Sequence, residues 1–280
     1  MPDQPQPLPY ELASALEARR GNLGVLGGRI LYFESIGSTN DVASQIAADG
    51  GAEGVVVVAD AQTAGRGRRG RVWFSPPASG LYVSVVLAPG RARVQPDRAT
   101  ALLTISAGVA LAEAVERCTG LPPAIKWPND LLVGRRKLAG ILAEGVLSPS
   151  GNGLQSVVLG YGLNVMAAAF PPELSSIVTS LETELGRGID RAALCAESLV
   201  SLAARYADLI EGRYDAILDA WRARAFGARG ASVEWDTPAG PKTGLTEGID
   251  AMGALLVRTG GQVERIVAGE VRWGLHAARD

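Results

Sequence analysis

The chain reads as an α+β protein: a mixed, mainly antiparallel sheet flanked by helices, followed by a small all-β module. Three observations lead there. Short apolar runs broken by glycine-rich turns recur between residues 29 and 165. Two long helical stretches lie between and after them, and beyond residue 230 only short strands and tight turns remain. At 280 residues, 47% hydrophobic and 20% charged, the length suits about two domains with ample core.

Met-Pro-Asp-Gln-Pro-Gln-Pro-Leu-Pro opens the chain without the charged and apolar regions of a signal peptide. Residues 1–20 therefore read as a flexible tail with a short helix over 10–20, stopped by Gly21. Residues 29–35 alternate as a strand. Ser38-Thr39-Asn40-Asp41 looks like a helix start, with Ser38 as N-cap and Asp41 three residues on. Val42, Ala43, Ile46 and Ala47 supply the apolar face of that helix, and Gly50-Gly51 its end. Strands are expected over 54–60, 81–87, 131–133, 137–147 and 155–165. A long helix fits 98–119, closed by Gly120 and Pro122, and a second helical block fits 190–225, punctuated at Gly212. Composition changes over 226–230, which separates a main domain, 21–226, from a module over 227–280. Strands at 232–235, 242–249, 254–259 and 263–268 would make that module a small β-barrel.

Much chemistry is excluded. His276 is the only histidine and sits five residues from the end, where a frayed side chain is expected, so triads that need an imidazole base are ruled out. Cys118 and Cys195 lie in separate predicted helices and form neither a metal cluster nor a disulfide framework. They read as buried thiols in a reducing, cytoplasmic setting. A net charge of −2 gives no case for non-specific nucleic-acid binding. No uninterrupted apolar stretch is long enough to span a bilayer.

Against that near-neutral background, Gln62-Thr63-Ala64-Gly65-Arg66-Gly67-Arg68-Arg69-Gly70-Arg71 concentrates four arginines among three glycines. Like charges repel and glycine adds freedom, so the loop is expected to order poorly alone and to close on an anionic ligand. Its glycines match the G-x-G-x-x-G dinucleotide spacing, but Val72-Trp73-Phe74-Ser75-Pro76-Pro77 follows where a helix would have to begin. Lys126-Trp127-Pro128-Asn129-Asp130 leads into a hairpin that carries Lys126 and Lys137 on its two arms, with Asn129 and Asp130 beside the first, which points to a second anion site. Gly160-Tyr161-Gly162-Leu163-Asn164 either marks a bulge or clears room for a flat ring beside the Asn164 amide. Ser38-Thr39-Asn40 can be a cap and nothing more, or can present hydroxyls and free backbone N–H groups to a small polar ligand.

In this order, these segments together with Lys137-Leu138-Ala139-Gly140-Ile141-Leu142 resemble biotin–protein ligases, from about Ile30 to the carboxyl-terminal module. The resemblance implies a class II synthetase-like main domain with an SH3-like carboxyl-terminal module. It implies ATP-dependent activation of biotin to biotinyl-5′-AMP and transfer to a lysine of a biotin carboxyl carrier protein. By the same resemblance Arg66 and Lys137 are catalytic. Ser38, Thr39, Asn40, Gln62, Gly65, Arg66, Gly67, Arg68, Trp73 and Lys137 contact biotin. Arg66, Arg68, Arg71, Lys126, Asn129, Asp130 and Asn164 belong near ATP, with Asp130 the choice for magnesium. The residues ahead of the first strand are too few for the winged helix of bifunctional members, so the ligase-only form is expected, with no DNA and no membrane partner. A homodimer is neither compelled nor excluded. Two rival readings stay open. A lipoate–protein ligase would share the adenylation logic. A non-enzymatic RNA-binding module would use Arg-Gly repeats beside aromatics.

Overall fold

The computed structural model describes residues 4–49, 53–148, 153–167, 170–267 and 269–274. The helix-ending Gly50-Gly51, Ala268 and His276 lie outside them. The elements run in the order α1 (Tyr10–Glu17), β1 (Arg29–Ile36), α2 (Thr39–Ala48), β2 (Val55–Gln62), β3 (Gly80–Leu87), α3 (Pro96–Thr119), β4 (Ala124–Lys126), β5 (Asp130–Val133), β6 (Arg136–Leu147) and β7 (Leu154–Asn164). Then come α4 (Leu181–Leu185), α5 (Arg191–Ile210), α6 (Tyr214–Arg222), β8 (Arg229–Thr237), β9 (Gly240–Ile249), β10 (Leu255–Thr259), β11 (Gln262–Ile266) and β12 (Val271–Trp273).

Seven strands form the main sheet in the order β1-β2-β3-β7-β6-β5-β4. Only β1 and β2 are parallel, and α2 makes the crossover that such a pair requires. The run Val55-Val56-Val57-Val58-Ala59 is buried on both faces of the sheet. Val56 and Val58 join the core that α3, α5 and α6 fill, while Val55, Val57 and Ala59 meet Phe33, Ala43 and Ala47 beneath α2. Helix α3 is long and apolar enough to cross a membrane by length and composition alone, although it holds no uninterrupted apolar stretch of that length. Most of that apolar window is buried inside the protein, so the apolar character serves core packing. Cys195 on α5 is fully enclosed and its thiol is pushed up to about 12 by burial; Cys118, near the end of α3, is also raised by burial.

The carboxyl-terminal strands form an antiparallel sheet ordered β11-β10-β9-β8-β12. Among the described residues β11 and β12 are its edges, so the expected barrel is not closed by pairing between them. Bonds that seat this sheet on the main domain include the buried Trp127 Nε1 donating to Gly253 O at 2.9 Å and Arg98 Nε donating to Ala251 O at 2.8 Å. Trp127 thus has a structural partner for its indole N–H while its side chain also lines the cleft.

Candidate active site

One cleft of about 300 Å3 gathers the polar segments. Its floor is the α2-side face of β3, β7 and β6, where Ser84 pairs with Gly160 and Gly160 with Leu142; on the next rung Gly162 pairs with Gly140. A Cβ at Gly160 would lie 1.9 Å from Asn40 Oδ1, and one at Gly162 would lie 2.2 Å from Trp73 Nε1. The two glycines therefore admit the protein's own Asn40 amide and Trp73 indole. The flat ring they make room for is Trp73, which revises the expectation of a ligand ring there.

Ser38 occupies the N-cap position of α2 but its side chain makes no capping bond, and it is buried. The Thr39 backbone N–H and hydroxyl both donate to Gln62 Oε1, at 2.9 and 3.1 Å. Gln62 Nε2 donates to Ser75 Oγ, whose hydroxyl donates to the Trp73 carbonyl. These bonds fix one end of the cleft. Between them, the arginine loop is a tight turn in which Gly67 N–H donates to Arg71 O and Trp73 N–H to Gly65 O.

The loop is not bare charge. Arg66 donates to Asp41 and to Glu144 at 2.5 Å each, Arg68 to Asn129 Oδ1 at 3.0 Å, and Arg69 and Arg71 both pair with Glu270 from the carboxyl-terminal sheet. These carboxylates, on α2, on β6 and beside β12, offset the mutual repulsion expected within the loop.

Across the cleft, Lys126 is not on one arm of the Lys137 hairpin. It ends a separate strand, β4, whose own turn over residues 127–129 delivers Asn129 and Asp130. Lys137 Nζ lies 2.7 Å from Asp130 Oδ1 and 5.3 Å from the centre of the Trp73 ring. That Asp130 oxygen is buried with the Lys137 ammonium as its close partner, and the carboxylate keeps further lone pairs open to another ligand. Asn164 Nδ2 donates to Thr179 O. All the residues expected at the site line this cleft except Gly65, whose carbonyl braces the loop behind it.

The comparisons with known proteins follow this geometry. Residues 32–164 match the Biotin/lipoate A/B protein ligase family, and residues 232–272 the Biotin protein ligase C terminal domain. The chain is 35% identical over 252 residues to the Bifunctional ligase/repressor BirA of Bacillus subtilis, covering 89% of this chain and 75% of that one. It is 37% identical over 241 residues to the Biotin–[acetyl-CoA-carboxylase] ligase of Mycobacterium tuberculosis, covering 84% and 85% respectively. The chain belongs to the biotin protein ligase family. Among solved structures, the biotin protein ligase from Aquifex aeolicus in complex with biotin and ATP superposes with a TM-score of 0.72 at 26% identity. It covers 88% of this chain and 99% of that one.

Electrostatics separates the cations of this family member into two kinds. Burial lowers the affinity of Lys126 and of Arg68 for their protons, Asp130 offsetting only part of the effect in each case. The fold leaves these charges under-matched, which favours an anionic ligand. Arg66 is the opposite case: its hydrogen bond to Asp41 raises its pKa, with Glu144 adding to the effect. Sequence reasoning missed Asp41 and Glu144 as partners, and Glu270, Phe170, Leu174, Ile177 and Val178 as lining residues. Of these Asp41 and Glu144 adjoined recognised segments, and nothing there signalled their shared partner, Arg66.

Proposed function

We infer that the protein is an ATP-dependent biotin protein ligase that works through this cleft. The biotin carboxylate oxygen attacks the α-phosphorus of ATP and the bond to pyrophosphate breaks. A carrier-domain lysine amine then attacks the acyl carbon of biotinyl-5′-AMP, the acyl–phosphate bond breaks, and AMP leaves as the amine gives up its proton. No enzyme nucleophile is needed, which suits a site without imidazole or reactive thiol. The observation that carries the reading is the convergence of Arg68, Lys126 and Lys137 on one cleft whose other end is the Thr39–Gln62–Ser75 hydrogen-bond chain.

In this reading Thr39, Asn40 and Gln62 recognise the ureido end of biotin, and Ser38 stands beside them. Trp73 covers its apolar body, and the Gly67 backbone lines the carboxylate. Lys137 and Arg68 stabilise the charge that builds as two anions meet, a preorganised arrangement of the most productive kind. Lys126, Asn129, Asp130, Arg71 and Asn164 serve the nucleotide. Among the described residues Asp130 and Glu270 are the carboxylates lining the cleft, and Glu270 already carries two arginines. The open acceptor of Asp130 fits a magnesium ion held mainly by the triphosphate, which would supply charge neutralisation there. Among the described residues no group of three or more histidine, cysteine or acidic side chains could hold a metal alone. The acceptor is a biotin carboxyl carrier domain, and the reaction belongs in the cytoplasm with ATP.

Two results test this. Labelled biotin should pass to the carrier lysine while lipoate offered in parallel does not; transfer of lipoate instead, or RNA binding without biotin-dependent pyrophosphate release, would sink the assignment. The lowered pKa of Lys126 gives a pH signature. As pH rises through that depressed value the free enzyme loses the charge, so KM for ATP should climb on the alkaline side. Lys126→Arg should move the climb to higher pH; an unchanged profile removes Lys126 from the nucleotide site.

A further inference from the structure

Arg66 carries one positive charge and meets two carboxylates, Asp41 in the first turn of α2 and Glu144 on β6. The local surplus is negative, so a substrate carboxylate is not drawn to this guanidinium as it is to Arg68 or Lys126. Glu144 does a second thing. Its Oε2 accepts from Asn40 Nδ2 at 2.7 Å, while its Oε1 accepts from Arg66 Nη2. Asn40 Oδ1 in turn accepts from the buried Ser84 hydroxyl at 2.6 Å. One carboxylate therefore joins the sheet floor and the α2 wall to the arginine loop, and Glu144 does not itself line the cleft.

We propose that Glu144, helped by Asp41, is the positioning residue that anchors the arginine loop, and that Arg66 is the anchored group rather than a cation in contact with substrate. The wall that recognises biotin and the loop that encloses the adenylate then share one support. This rests on the ligase reading for its effect on the intermediate, but not for the anchor itself. All three side chains of the anchor are partly exposed, so added salt should loosen it.

The test uses the full-length protein without ligand and its Glu144→Gln and Asp41→Asn variants. Glutamine can still accept from Asn40, but it turns an amide N–H toward Arg66 in place of a charge. Trypsin cleavage within residues 66–71, normalised to a denatured substrate, should accelerate in the wild type between about 0.05 and about 0.5 M salt. Glu144→Gln should be cut roughly fivefold faster at low salt, with little further response. The same variant should release severalfold more free biotinyl-adenylate per pyrophosphate formed, which a merely structural change on β6 would not alter. Wild-type cleavage rate and salt response in both variants, or an unchanged release ratio, overturns the proposal. Should a variant fail to fold, the wild-type salt series decides: salt-independent cleavage refutes the anchor. The cleavage readout needs no biotin chemistry, so its failure is distinct from failure of the ligase reading.

Discussion

Lys137→Ala is expected to lower biotin-dependent pyrophosphate exchange by about 10²–10³-fold while the protein keeps its fold. Removing one preorganised stabilising group from a site where charge develops has costs of that order. Here the loss is compounded. Lys137 sits 2.7 Å from Asp130, and without it a partly buried carboxylate would lose its close ion-pair partner where two further anions must meet. The change should appear in kcat as much as in KM, because the charge is needed most as the phosphorus is attacked. Exchange within a fewfold of wild type would remove Lys137 from the chemistry. Arg66→Ala offers a contrast. With its guanidinium already matched by Asp41 and Glu144, it should form adenylate but retain it poorly.

Gly162→Ala is expected to raise KM for biotin roughly tenfold to a hundredfold, since overpacking a fitted site costs about 1–3 kcal/mol. The added Cβ would lie 2.2 Å from Trp73 Nε1 and 2.3 Å from Cε2, so the indole must leave its slot. Lys137 loses its ring contact in the same step. Gly188→Ala meets nothing within 4 Å and serves as the control. Tryptophan fluorescence should shift in the first variant alone. A Gly162→Ala enzyme with wild-type biotin saturation would show that Trp73 does not cover the vitamin.

What the sequence made legible was local chemistry in contiguous segments. The valine run of β2, the Gly-Arg loop and the Lys126–Asp130 block each announce themselves within ten residues. So does the alternation of long helices with short strands. The pairings were hidden because they join distant residues through the tertiary fold. Arg66 reaches Glu144 across 78 positions, and Arg71 reaches Glu270 across 199. Repulsion inside the loop was visible; the carboxylates that relieve it were not. Clearance was one of the two readings open for the glycines of β7, but which ring they cleared depended on where Trp73 lands after the loop turns back. The three-residue strands β4 and β12 are too short to show any periodicity, and missing β4 misplaced Lys126 on the Lys137 hairpin. Helix α4, at five residues, was missed for the same reason.

The account holds that biotin and ATP meet between Lys137 and Arg68, with the ureido ring at Thr39 and Gln62. A crystal structure with biotin and a non-hydrolysable ATP analogue measures this directly. The expected result is a biotin carboxylate facing the α-phosphate, with Lys137 Nζ within hydrogen-bond reach of both and the Trp73 indole over the thiophane ring. Either ligand bound away from the Gly140–Gly162 floor, or a carboxylate held by Arg66 with Glu144 turned aside, would contradict it.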